Sequence, residues 1–300
     1  MHANAAALIR LCSLALLWGS GFLWIKIAIQ GLSPAQVTLA RLVLGAALLL
    51  VIIRVQGQSL PRGRALWIHL TVAALFANSA PYLLFAIGEQ TVPSSIAGVI
   101  NATTPLWTLL FAYVTRQDTS ITLNRVAGLI IGFLGTLLIF TPWKSGEVAA
   151  SWGGMACLAA SLSYAISYIY MGRFLSRRDI QPIVLSAGQL SAASGLALLV
   201  IPVDGQHTVS FRTDVILAVF ILGVLGTGVA YVLNYRIIRD DGPVLASTVT
   251  YLLPVVAVVL GWAVLGEGIA GTSIAGTGVV LLGVAVTRLS RSRAKGHPRQ

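Results

Sequence analysis

Three hundred residues that are 57% hydrophobic and only 10% charged, with a mean hydropathy of +0.87, are too apolar for a water-soluble globule, which carries about 25% charge. The chain is therefore expected in a lipid bilayer, and at roughly 30 residues per spanning helix and connector it has room for about ten helices. That excludes a second, soluble catalytic domain. In chain order, apolar runs long enough to span are predicted from Leu8 to Ile29, Pro34 to Ile53, Leu66 to Gly88, Ser94 to Thr115 and Val126 to Phe140. A second set runs from Trp152 to Phe174, Pro182 to Ile201, Val215 to Ile238, Val244 to Leu265 and Thr272 to Leu289. The connectors are short and carry breakers: Gly31 to Pro34, Pro61-Arg62-Gly63, Thr141-Pro142, Pro202 to Gly205 and Asp240 to Pro243.

The first run could pass for a signal peptide behind Arg10, but it stays apolar to Ile29 without a cleavage site and is read as a retained helix. The two cysteines, Cys12 and Cys157, fall inside apolar runs and are expected as small core residues, with no disulfide framework to build. With the N-terminus in the cytoplasm, alternate loops place Arg10, Arg54, Arg62, Arg64, Arg116, Arg125, Arg173, Arg177, Arg178, Arg236, Arg239 and the tail from Arg288 to Arg299 on the cytoplasmic side. Only Lys144 and Arg212 lie opposite, and Lys26 and Arg41 lie within helices. This bias predicts both termini inside, in a multi-pass protein of the cytoplasmic membrane. It also accounts for the net charge of +11 without a nucleic-acid partner.

The two halves repeat at an offset of 148 or 149 residues. Pro34 and Arg41-Leu42 recur as Pro182 and Gln189-Leu190, Tyr82 as Tyr231, Ala97 and Pro105 as Ala246 and Pro254, and Gly128 and Gly135 as Gly276 and Gly283. The expected units are residues 1–142 and 143–300. Five helices per unit is an odd number, so the second copy must enter the membrane in the opposite sense. Inverted repeats of this kind give transporters two exchangeable states around a site near the midplane. The expected fold is thus an all-α integral membrane protein of ten transmembrane helices in two inverted five-helix repeats.

The segment Leu17-Trp18-Gly19-Ser20-Gly21-Phe22, then Lys26, Pro34, Arg41, Thr227 to Tyr231, Ala246 to Pro254, Gly266-Glu267 and Gly276 to Gly283 resemble the EamA-type branch of the drug/metabolite transporter superfamily. The resemblance covers about residues 8 to 289 and implies a ten-helix fold that exports or exchanges small metabolites, often amino acids. It does not name the substrate.

Polar and aromatic side chains at helical spacing are candidates to line a pathway, since a polar group facing lipid without a partner is costly. Asn78, Tyr82, Phe85 and Glu89 share one face, as do Thr227, Tyr231 and Asn234. Ser161, Tyr164 and Tyr168, then Asn101, Thr104 and Thr108, then Thr250 and Tyr251 add to them. The expected substrate contacts are Trp18, Phe22, Asn78, Tyr82, Asn101, Thr104, Tyr164, Tyr168, Thr227, Tyr231 and Tyr251. The alternative is that these groups are interhelical hydrogen-bond glue. Lys26, Arg41 and Glu89 are the charged candidates: Lys26 either attracts a carboxylate or snorkels, and Arg41 either binds a substrate carboxylate or clasps Glu89. Pro105 and Pro254, at equivalent places, read as mid-helix hinges or as static bends. Gly128, Gly132, Gly276, Gly278 and Gly283 read as packing faces.

The nine acids lie in or beside loops, and the four histidines are scattered without metal-ligand spacing. The stretch from Gly266 to Gly271 matches a dinucleotide fingerprint in letters only, with no strand before it. No enzyme activity, metal or cofactor is expected. The expected partners are a small-molecule substrate and the lipid bilayer; the sequence carries no signal of oligomeric state. The leading function is a secondary transporter of small metabolites, most of all amino acids, with export as its direction and alternating access as its mechanism. The alternatives are a nucleotide-sugar, organic-phosphate or drug transporter of the same plan, or a non-transporting membrane subunit. A phosphate exchanger is expected to place cations in its last helices, and here none precedes Arg288 there.

Overall fold

The computed structural model describes residues 2–117, 122–141, 143, 151–203, 209–210, 212–265 and 271–295. Pro142, Lys144, Asp204-Gly205 and Gly266-Glu267 lie outside the described residues. All regular structure among the described residues is helical. The first half comprises α1 (His2–Gly19), α2 (Gly21–Ala28), α3 (Pro34–Val55), α4 (Arg64–Ala74), a π-helical turn (Leu75–Ser79), α5 (Ala80–Thr91), α6 (Ser94–Asn101), α7 (Thr104–Val114) and α8 (Leu123–Phe140). The second half comprises α9 (Trp152–Phe174), α10 (Pro182–Leu198), α11 (Thr213–Gly223), a second π-helical turn (Val224–Val229) and α12 (Ala230–Asp241). It ends with α13 (Pro243–Ser247), α14 (Val249–Leu265) and α15 (Gly271–Lys295).

Among the described residues, eight helical runs are long and apolar enough to cross a membrane, and Pro182–Leu198 and Gly271–Thr287 are shorter apolar helices. Chain chemistry sets their starts. Ser33 forms a capping box with Gln36 ahead of α3, and the Thr122 and Ser151 side chains accept from backbone N–H groups at the heads of α8 and α9. Proline stands in the first turn of α3, α10 and α13, where its missing N–H costs nothing.

The predicted runs coincide with helices, but five of them are interrupted. Ser20 separates α1 from α2, Ala102 and Thr103 separate α6 from α7, Thr248 separates α13 from α14, and the two π turns widen the third and eighth runs. The π turns begin at Leu75 and Val224, 149 residues apart, so they occupy equivalent places in the two halves. Pro105 is not a mid-helix kink: it is the second residue of α7, where no helical hydrogen bond is lost, whereas Pro254 does lie inside α14.

Packing between the halves is reciprocal. α1 lies against α14 as α9 lies against α7, α1 meets α12 as α9 meets α5, and α2 meets α11 as α9 meets α4. α3 packs on the second π turn as α10 packs on α4 and the first π turn. α3 also packs on α10, and α8 on α15. The α8–α15 seam is built on glycine. A Cβ on Gly283 would lie 2.3 Å from Gly132 N, one on Gly135 would lie 2.6 Å from Val280 N, and one on Gly276 would lie 2.7 Å from Gly135 O. Backbones this close exclude any side chain. Gly278 has open space around it and takes no part in the seam, against the expectation for it. Cys157 is buried, as expected, but Cys12 is exposed on α1.

Candidate functional site

The five interruptions surround one cavity. Its wall comprises Leu17, Trp18, Gly21, Phe22 and Ile25 from α1 and α2, Arg41 from α3, Ala77, Tyr82 and Phe85 from the third run, and Asn101 at the end of α6. The second half contributes Tyr164, Ser167 and Tyr168 from α9, Gly226, Tyr231 and Asn234 from the eighth run, and Thr250 and Leu253 from α14. About 740 Å3 of space free of protein atoms lies inside this wall, counted out to the mouth. Its lining is mainly apolar and aromatic with a few convergent polar groups, the make-up of a small-molecule site. Irregular backbone at membrane depth is tolerated only where protein or a cavity receives its polar groups.

Each π turn offers a carbonyl to a ring donor from the opposite half. Tyr231 Oη donates to Ala77 O, and Trp18 Nε1 donates to Gly226 O at 3.1 Å. Ala77 and Gly226 are equivalent positions, so the two halves hold each other by the same device with different rings. Trp18 stands edge-on to Tyr231 with centroids 6.1 Å apart, Phe22 does the same to Phe85 at 6.0 Å, and Phe85 stacks on Tyr164 at 5.9 Å. The result is an aromatic wall.

Arg41 reaches this wall because of a glycine one turn below it. A Cβ on Gly45 would lie 2.9 Å from Gly223 O and 3.0 Å from Thr227 Cγ2, so α3 touches the second π turn along this face. Arg41 is only 7% exposed; its Nε donates to Thr227 Oγ1 at 3.1 Å and its guanidinium carbon lies 3.8 Å from the centre of the Tyr82 ring. Thr227 spends its own proton on Leu222 O, which leaves its oxygen free to accept. No ion pair of Arg41 is formed with any described residue. The equivalent bond in the other half is Gln189 Nε2 to Asn78 Oδ1 at 2.6 Å, with Tyr235 donating to Gln189 Oε1. One half thus holds a cation where the other holds a pair of hydrogen-bonded amides.

Of the residues expected to contact substrate, Trp18, Phe22, Tyr82, Asn101, Tyr164, Tyr168 and Tyr231 do line the cavity, together with Arg41. Four do not. Asn78 is bonded to Gln189, and Thr227 sits behind Arg41. Thr104 is fully buried 3.4 Å from Asn101 Oδ1. Tyr251 points away, donating to Leu129 O with its ring against Gly132. Lys26 and Glu89 also stand outside the wall: Lys26 Nζ donates to the Glu89 carbonyl at 3.0 Å and ties α2 to α5. Arg41 takes Thr227 and Tyr82, not Glu89, as its described partners. Neither Pro105 nor Pro254 is in the wall.

Sequence reasoning passed over Leu17, Gly21, Ile25, Ala77, Ser167, Gly226 and Leu253. Gly21 and Ile25 follow Leu17 at steps of four, and Ser167 lies between Tyr164 and Tyr168, so the helical period would have found those. Nothing in the period marks Ala77 or Gly226, which reach the cavity through π turns.

The sequence profile described as the EamA-like transporter family matches the chain twice, over residues 5–141 and 151–289. The chain is 28% identical over 259 residues to the "Uncharacterized inner membrane transporter YedA" of Escherichia coli (strain K12), covering 84% of this chain and 80% of that protein. It is 27% identical over 248 residues to an "Uncharacterized transporter" of Archaeoglobus fulgidus, covering 81% and 84%. A solved crystal structure, 21% identical, covers 96% of this chain and 98% of its own with a TM-score of 0.76, which shows the fold. Both halves of the chain are matched by one and the same profile, and the chain belongs to the EamA-like transporter family.

Proposed function

We propose that this chain is a secondary transporter of the cytoplasmic membrane that exports or exchanges small carboxylate-bearing metabolites, amino acids first among them, by alternating access about the cavity. All ten helical runs cross the bilayer, both termini are cytoplasmic, and residues 1–142 and 143–300 form inverted repeats. The reciprocal packing, the paired π turns and the twofold profile match support that reading. Discontinuous helices around a site between repeats are the common arrangement of alternating-access transporters. Pro254, inside α14, is the proline placed to act as a hinge.

The observation that carries the substrate class is Arg41. A buried cation in membrane is costly unless an anion or dipoles compensate it, and Arg41 has one hydroxyl and one ring face from the protein. A planar carboxylate fits the remaining guanidinium edge with two parallel hydrogen bonds. Among the described residues the cavity wall offers this single cation, which suits a monoanionic head better than a nucleotide diphosphate.

Purified protein in liposomes loaded with unlabelled amino acids is expected to accumulate labelled neutral and aromatic amino acids by counterflow, saturably and in competition. Protein-free liposomes give the baseline. Folded protein that moves none of the pool above that baseline overturns the amino-acid reading, and a failure extending to drugs and phosphorylated metabolites overturns transport itself.

A further inference from the structure

Asn234 is 3% exposed in the cavity wall, yet its side-chain amide makes no hydrogen bond with any described residue, and its Oδ1 is shut off from solvent. Tyr82 Oη, 5% exposed in the same wall, has the Tyr231 hydroxyl beside it, so the Asn234 amide is the group in this wall that the protein leaves open. Buried polar groups are nearly always satisfied, so an amide left open in a cavity wall marks a place where something else completes it.

Its position sets the length of that something. Asn234 follows Thr227, the residue that holds Arg41, by seven residues in the same helical run, so about 10 Å separate the two along the axis. The ammonium and carboxylate of an α-amino acid lie only about 3 Å apart, too close for Asn234 to read one while Arg41 reads the other. Between the two levels stand rings, chiefly Trp18, Tyr82, Tyr164 and Tyr231.

We propose that the cavity selects elongated, two-ended substrates: a carboxylate on Arg41, a flat ring among the aromatic side chains, and a hydroxyl at the far end whose oxygen accepts from Asn234 Nδ2, the side of the amide left open to the cavity. Para-hydroxyphenyl carboxylic acids have this shape, since a propionate arm and a para-hydroxyl place the two ends roughly 8 Å apart, leaving one hydrogen bond's length to be shared. The assignment rests on the transporter reading above and adds to it which carboxylates are preferred.

Equilibrium binding to the full-length purified protein tests it with four probes: 3-phenylpropionate, 3-(4-hydroxyphenyl)propionate, phenylalanine and tyrosine. Each hydroxylated member is expected to bind roughly tenfold more tightly than its parent, the worth of one well-formed hydrogen bond in a buried site. In Asn234→Leu, which removes an unpartnered amide and keeps the volume, that preference is expected to vanish while the parents bind as before. Asn234→Gln serves as a second variant that keeps the amide but displaces it, and it is expected to weaken the preference. Equal binding of parent and hydroxylated probes, or a preference that survives in Asn234→Leu, overturns this inference and leaves carboxylate transport standing. Failure of all four probes to bind folded protein overturns both.

Discussion

Arg41→Gln is expected to abolish carboxylate transport while leaving the protein folded. The substitution installs the residue that the other half carries at its equivalent position, Gln189, and so keeps a hydrogen-bonding side chain of modest size. What it removes is the only charge that the described residues place in the cavity wall. A charge-assisted bidentate contact exceeds a neutral hydrogen bond by enough that about 3 kcal/mol, or more than 100-fold in affinity, is expected to go. Stability follows the opposite logic. Arg41 is buried without an ion-pair partner among the described residues, and losing a desolvated cation relieves a cost. Thr227 keeps its bond to Leu222 O, so the second π turn retains that hold. Arg41→Lys, which preserves charge but not the planar fork, is expected to fall between. Proteoliposome flux with thermal unfolding on the same preparations checks both halves of the claim, and normal flux in Arg41→Gln would remove the carboxylate reading.

Gly283→Leu is expected to be the most destructive single change outside the cavity. A Cβ there would stand 2.3 Å from Gly132 N and 2.6 Å from Gly128 O, both backbone atoms that cannot rotate away. The α8 and α15 axes would have to separate, and every close approach along the seam, at Gly135 and Gly276 as well, would open with them. Lost packing over two helices is expected to cost about 3–5 kcal/mol, above the 1–3 typical of simple overpacking. Gly278→Leu is the matched control on the same helix, because that glycine has nothing within 4 Å and an apolar side chain there changes little. Yield of monodisperse protein and Tm in detergent are expected to fall sharply for the first and to stay within error for the second.

The contrast between those two glycines shows where the sequence is readable. Hydropathy marks every helical run, and α9 begins and ends at the residues the apolar pattern picks, Trp152 and Phe174. The repeat shows through Tyr82 and Tyr231, and both do face the cavity. The failures have a common physical source. Face assignments assume a regular helix, in which residues four apart point the same way. The π turns at Leu75–Ser79 and Val224–Val229 break that rule, and so Asn78 and Thr227 turn toward the neighbouring helices while Tyr82 and Tyr231 reach the wall. A wider turn leaves hydropathy unchanged, so composition does not announce it. Tyr251 fails for a simpler reason: adjacent residues on a helix diverge by about 100°, and Thr250 already takes the cavity side.

Arg41 and Asn234 illustrate the same limit in chemistry. Residue type alone marks Arg41 as unusual in a membrane, but whether it answers to Glu89 or to a ligand depends on which helix it meets, and Gly45 decides that by bringing α3 onto the second π turn. Asn234 sits on the stripe with Thr227 and Tyr231, yet only the packed structure reveals that its amide has no described partner.

The central claim is that the cavity opens in turn to the two sides of the membrane, and thiol accessibility tests it most directly. In a background carrying Cys12→Ser and Cys157→Ser, Ser167→Cys places one thiol in the cavity wall by exchanging oxygen for sulfur. Membrane-impermeant reagents applied to right-side-out and to inside-out vesicles are predicted to label that thiol from both sides, with substrate slowing each reaction. Labelling from one side alone, unchanged by substrate, would contradict alternating access.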